Sequence, residues 1–105
     1  MVIALEDEAV LGTEKKYVLD IKSTGFDMED DDFEVEIRCG LNTLMIGKSE
    51  MIKDFEGNFY FTFNTADLGV GLAKIIVTAH VPDGDFLDGI RDEVDTFRFL
   101  RIKSK

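Results

Sequence analysis

Apolar and polar residues alternate along this chain with a period of two, the mark of half-buried β-strands. In "FEVEIR", residues 33–38, Phe33, Val35 and Ile37 alternate with Glu34, Glu36 and Arg38. In "NFYFTFN", Phe59, Phe61 and Phe63 share one face, while Tyr60 and Thr62 take the other. "YVLDIKS" places Tyr17, Leu19 and Ile21 inward and Val18, Asp20 and Lys22 outward. The run "LAKIIVTAHV", residues 72–81, is β-branched, apolar on both faces and closed by Pro82, which predicts a central strand. In "TFRFLRIK", Phe97 and Phe99 fall on one face and Leu100 and Ile102 on the other. A strand covered on both sides, or a register shift at a bulge, accounts for that.

Between these runs, "CGLNT" (39–43) and "DFEGN" (54–58) carry the Gly and Asn of hairpin turns, with shorter strands in "TLMIG" and "EMIKD". Helix signals are few. "NTADLG" predicts a single turn capped by Thr65, and "SEMIKD" a turn beginning at Ser49. "ALEDEAVL" reads either as a short helix or as a leading strand. Roughly seven short strands separated by turn signals predict an all-β, antiparallel sandwich. A chain of 105 residues fits one domain, 1–105, with 1–16 expected as a mobile or peripheral N-terminal segment.

Charge narrows the partners. The net charge is −10 and the pI is near 4.4. Phosphate binding requires clustered Lys and Arg, so a nucleic-acid partner is not expected, nor contact with an anionic membrane. Cys39 is the only cysteine, which excludes an internal disulfide and a C-x-x-C metal pair. The opening "MVIALEDEAVL" has no basic region and is interrupted by acids, unlike a signal peptide. No apolar run approaches the ~18 residues of a membrane span. The expected site of synthesis is the cytoplasm.

The densest cluster of candidate chemistry is "HVPDGDFLDGIRDEV", residues 80–94, expected to be a long crossover into a final strand beginning near Val94. An EF-hand loop needs acids at positions 1, 3 and 5, Gly at 6 and Glu at 12. With Gly89 at position 6, Gly84 and Phe86 fall at positions 1 and 3; starting from Asp83, Leu87 and Val94 fall at 5 and 12. Both registers fail. A different calcium site would draw on Asp30, Asp31 and Asp32 of "DMEDDD" together with Asp83, Asp85 and Asp88, if the two loops meet at one end of the sandwich. Otherwise no metal and no cofactor is expected.

Catalysis is not expected either. Paired carboxylates about 5–10 Å apart would be uninformative in so acidic a chain, and a small sandwich has little depth for a substrate. His80, the only histidine, shares a strand face with Ile76 and Thr78 and sits in no metal or nucleophile motif. Cys39 lies at a turn as a small packed or partly exposed thiol. "GVG" (69–71) is a turn rather than a dinucleotide loop, and Met28, Met45 and Met51 fill core gaps. Phe86, Leu87 and Ile90 stand out as large apolar residues in an otherwise polar loop. They are the candidate partner-binding residues, unless they fold back onto the core.

The segments "LDIKSTGFDMEDDDFEVEIRCG", "EGNFYFTFNTADLGVGLAKIIVTAHVPDGDF" and "GIRDEVDTF" resemble small proteins of prophage and conjugative-element tail gene clusters in Bacteroides-type bacteria. The resemblance covers most of the chain and extends to immunoglobulin-like domains that begin phage baseplate and tail-fibre proteins. It implies an immunoglobulin-like β-sandwich with a non-enzymatic structural role. The implied partners are proteins, either further copies of the chain or other tail components, within a virion. The alternative class is a calcium- or carbohydrate-binding sandwich, against which the absence of Trp and the two Tyr count. A small hydrolase ranks last.

Overall fold

In a computed structural model describing residues 5–105, the strands are β1 (Leu5–Val10), β2 (Glu14–Leu19), β3 (Asp32–Cys39), β4 (Asn42–Gly47), β5 (Ile52–Lys53), β6 (Phe59–Asn64), β7 (Gly71–Pro82) and β8 (Ile90–Lys103). They form two packed sheets, in the orders β1-β8-β7-β3-β4 and β2-β6-β5. The β-sandwich read from the sequence is therefore the fold. It is not wholly antiparallel, because β1 runs parallel to β8 along the edge of the larger sheet. The cause is the connection that follows β1. Residues 11–13 carry the chain across to β2 in the opposite sheet instead of turning it back beside β1. Of the N-terminal segment expected to be peripheral, residues 5–16 supply β1 and the start of β2.

The core is the space between the sheets. Phe33, Val35 and Ile37 of β3 face Phe59, Phe61 and Phe63 of β6, and Ala73, Ile75 and Val77 of β7 complete the floor. Tyr17 and Leu19 close it from β2; Ile21 packs against it from the loop beyond, because β2 ends at Leu19. Phe33 meets Phe59 edge-on with centroids 5.5 Å apart, a geometry that sets the positive ring edge against the negative face. As expected, β7 is central, between β8 and β3.

The mixed pattern of "TFRFLRIK" has its source in a register shift. Ile75 pairs with Arg98 but Ile76 pairs with Thr96, so Phe97 is the extra residue of a bulge. Phe97 and Phe99 consequently do not share a face. Phe97 turns inward and meets the Tyr17 ring edge-on at 6.1 Å, whereas Phe99 lies opposite exposed Lys74.

The turns follow local chemistry. Gly40, with φ of 58°, and Leu41 close the β3–β4 hairpin, a place where positive φ favours glycine. In 54–58 the Asp54 carboxylate accepts from the N–H groups of Glu56 and Asn58, both at 2.9 Å. The turn at 65–67 is capped by Asn64, whose side chain accepts from Ala66 N–H at 2.9 Å, and not by Thr65. The turn at 48–50 follows Gly47 rather than starting at Ser49.

Thr65 is instead a buried tie between the sheets. Its Oγ1 accepts from the N–H groups of Gly12 (2.9 Å) and Thr13 (3.0 Å) and donates to the Val10 carbonyl (3.2 Å). An apolar isostere would strand these groups without water. Thr65→Val should lower unfolding free energy by about 1–3 kcal/mol, and Thr65→Ser by clearly less, read by urea denaturation.

Candidate protein-interaction site

The strands β7 and β8 form one long hairpin whose pairing continues to Pro82↔Ile90. The stretch 80–94 is therefore no crossover, and the last strand starts at Ile90 rather than near Val94. Charges hide it in the sequence. Arg91, Glu93 and Asp95 lie opposite Val81, Ala79 and Val77, on the inner face, where an apolar set would be expected. They are polar because this end of β8 runs beyond the cover of the smaller sheet, and water reaches Glu93 and Asp95, while Ala79 and Val81 opposite stay buried.

Residues 83–89 form a tied turn. Asp83 N–H donates to the Gly89 carbonyl (2.9 Å), and Gly89 N–H donates to that of Phe86 (2.9 Å). The carboxylates of Asp83 and Asp88 accept from the N–H groups of Asp85 (3.0 Å) and Ile90 (3.1 Å). Arg91 then braces the base of the turn, donating to Asp83 Oδ2 at 2.6 Å and to the Thr24 carbonyl at 3.2 Å. On this support Phe86 and Ile90 are 48% and 41% exposed, and Leu87 is fully exposed. None of the three belongs to the core cluster.

Of the acids proposed as calcium ligands, Asp31, Asp83 and Asp88 are occupied in turn formation. Asp31 Oδ2 accepts from Asp27 N–H at 2.8 Å, and Asp32 opens β3 opposite His80. The pairing does bring 27–32 and 83–89 to the same end of the larger sheet. Among the described residues, no three His, Cys, Asp or Glu side chains are grouped to hold a metal ion. Asp30 and Asp85 are exposed.

Below the turn, a groove of about 340 Å³ opens between β8 and the chain leaving β2. Leu19, Ile21, Val77, Ala79 and Phe97 make its floor, and Glu93, Asp95 and Lys22 its rim. Ser23 Oγ donates to Glu93 Oε2 at 2.5 Å across one wall. An apolar floor under an acidic rim suits a partner side chain that is apolar along its stem and cationic at its end.

His80 stands on the outer face between two carboxylates, with Nδ1 2.6 Å from Asp92 Oδ1 and Nε2 3.1 Å from Glu34 Oε1. The hydrogen bond to Asp92 raises its pKa above the ordinary 6.5; burial opposes the shift, and Glu34 adds to it. Cys39 is buried, its Sγ 3.7 Å from the Gly69 carbonyl. A second ionic cluster was not legible in the sequence. Lys15 Nζ lies 2.8 Å from Asp7 Oδ2, and Tyr17 Oη donates to the same oxygen at 3.0 Å. The Lys15 contact holds the Asp7 carboxyl at about 2; burial, reinforced by Asp7, pushes the Tyr17 phenol up to about 12. The partners are eight and ten residues apart in the chain, and only the crossing from β1 to β2 brings them together.

Among the described residues no helix is long and apolar enough to cross a membrane. Comparison with family models, curated proteins and solved structures found no match to this chain.

Two measurements check this geometry. Phe86→Ser and Leu87→Ser should each change unfolding free energy by no more than about 0.5 kcal/mol, as surface positions do; a loss above ~2 kcal/mol would place either side chain in the core. The single imidazole should titrate above 6.5 by NMR, and Asp92→Asn should bring it back down. A folded pKa above the unfolded one means that protonation favours the folded state. His80's contribution to stability is therefore complete below pH 6.5 and disappears as pH rises through the folded value.

Proposed function

We propose that this chain is a non-enzymatic, immunoglobulin-like interaction module, made in the cytoplasm, that docks onto protein partners in a phage-tail type of assembly. The observation that carries the reading is the β7–β8 tip, where Phe86, Leu87 and Ile90 are presented to solvent on a turn fastened by backbone bonds and by Arg91. A rigid apolar anchor loses little conformational freedom on binding, which is what interface hot spots require.

Strand order supports the immunoglobulin-like part. The succession β8-β7-β3-β4 facing β2-β6-β5 corresponds to G-F-C-C′ facing B-E-D. The turn 83–89 then takes the place of the F–G loop, one of the loops through which variable-type domains recognise ligands. The net charge of −10 keeps such a module soluble and steers it toward a basic partner surface, a match for the acidic rim below the tip. The position of His80, tied to two carboxylates on an open sheet face, favours a structural role over general-base work. The phage-tail assignment draws on the resemblance of the segments between residues 17 and 97 to tail-cluster proteins.

A photoreactive residue at Leu87, introduced in the native host, tests the reading. Crosslinks should concentrate on one protein and fall sharply with Phe86→Ser. Adducts scattered over unrelated proteins would defeat the docking role. A single partner that is no component of a tail assembly would defeat the phage-tail assignment alone.

A further inference from the structure

The outer edge of β4 lacks every device by which sheets avoid pairing with other chains, and we infer that it is a dimer interface. Two copies would join β4 to β4, antiparallel about a two-fold axis, so that their larger sheets become one. Natural sheet edges are protected by charge, proline, bulges or brevity. The other edges here follow that rule. β1 has an acid at each of positions 6 to 8, and β2 begins with Glu14, Lys15 and Lys16. β5 has two residues, and the end of β8 beyond β1 turns charged side chains inward. β4, "NTLMIG", has no charge and no proline, and its pairing with β3 runs unbroken from Cys39↔Asn42 to Glu34↔Gly47.

The free backbone groups can be assigned. Cys39 and Asn42 flank the two-residue turn and form its hydrogen-bonded pair, so Leu44 and Ile46 also bond to β3. Thr43 and Met45 therefore direct N–H and C=O away from β3. The next residue of that series, Gly47, confirms the side: its N–H is taken by Glu50 Oε1 at 3.1 Å, which also ends the open stretch. In the register that puts Leu44 on the axis, Thr43 lies opposite Met45 of the second copy. The four free groups on each chain then satisfy one another. Fully exposed Leu41 falls beside Gly47 of the second copy, where no side chain obstructs it.

Charge selects a second copy as the occupant. Two bodies of net charge −10 repel over most of their surfaces, yet this edge is neutral along its six residues. The charge nearest the seam, the Glu50 carboxylate on Gly47 N–H, would lie about 20 Å along the strands from its counterpart, and the charges on β3 three strand spacings apart, about 14 Å; both exceed the ~8 Å Debye length at physiological salt. Glu36 there is already paired with Arg38. A basic partner strand would find no acid within β4 to attract it, only the Glu50 carboxylate at one end, already bonded to Gly47 N–H. A self-complementary patch is also what two-fold symmetry requires.

This surface is separate from the hairpin tip, and either reading can fail alone. Sedimentation across about 1 μM to 1 mM protein should show monomers converting to dimers. Thr43→Pro deletes a donor that faces away from β3, so the inner ladder survives while the dissociation constant should rise at least tenfold. Met45→Lys, at a half-exposed position, should do the same without touching the backbone. The thermal midpoint of both variants at low concentration should match the parent, and Leu87→Ser should leave the dimer intact. A monomer throughout the range, a dimer that withstands both edge variants, or one lost only with Leu87→Ser would overturn the inference.

Discussion

The two sheets of this sandwich differ in length, and the rest of the molecule follows from that mismatch. β7 has twelve residues and β8 fourteen, whereas β2 and β6 have six each. A strand can be apolar on its inner face only where other parts of the chain cover it. Over the covered part lie Ala73, Ile75 and Val77, with Leu100 and Ile102 beside them. Past it, Ala79 and Val81 of β7 stay buried, Val81 beside Gly25 of the connection between β2 and β3, but β8 changes to Asp95, Glu93 and Arg91. The bulge at Phe97 marks the transition, turning a large ring back toward Tyr17 as the cover ends.

Exposing the end of the hairpin gives its acids a structural task. Asp83 and Asp88 shape the turn, Glu93 accepts from Ser23 and Arg91, and Asp92 holds His80. The same economy applies to Asp54 in the β5–β6 turn and to Asp31 before β3. A chain with 22 acidic residues is thus not simply coated with charge, since many carboxylates replace backbone carbonyls as acceptors in tight turns. Once the polar groups of the turn are satisfied internally, the apolar side chains left facing outward are Phe86, Leu87 and Ile90.

The legible parts of the sequence were those where one face is buried and the other wet. β3 and β6 announce themselves by strict alternation, and β7 by apolar residues on both sides. The turns at 39–43 and 54–58 were legible from their Gly and Asn, Gly40 and Asn42 in the first and Gly57 and Asn58 in the second. The strand from Ile90 to Asp95 was not, because its inner positions are solvated and its alternation carries no contrast in polarity. Nor could Thr65 be recognised as an inter-sheet tie, since its three partners at Val10, Gly12 and Thr13 lie more than fifty residues away. The ionic cluster of Asp7, Lys15 and Tyr17 was hidden although its members are close in the chain, because only the crossing from β1 to β2 in the opposite sheet brings them together.

By itself, then, the sequence determined the β class, the central strand, the inward faces of β3 and β6 and the absence of an internal disulfide, all of which depend on local periodicity or composition. Only the tertiary structure decided that β1 lies parallel to β8, that 80–94 is a hairpin and that Phe97 and Phe99 part company at a bulge. It also decided that the edge of β4 is left open. These features depend on which strands become neighbours and where one sheet ceases to cover the other, and a period of two is the same in either arrangement.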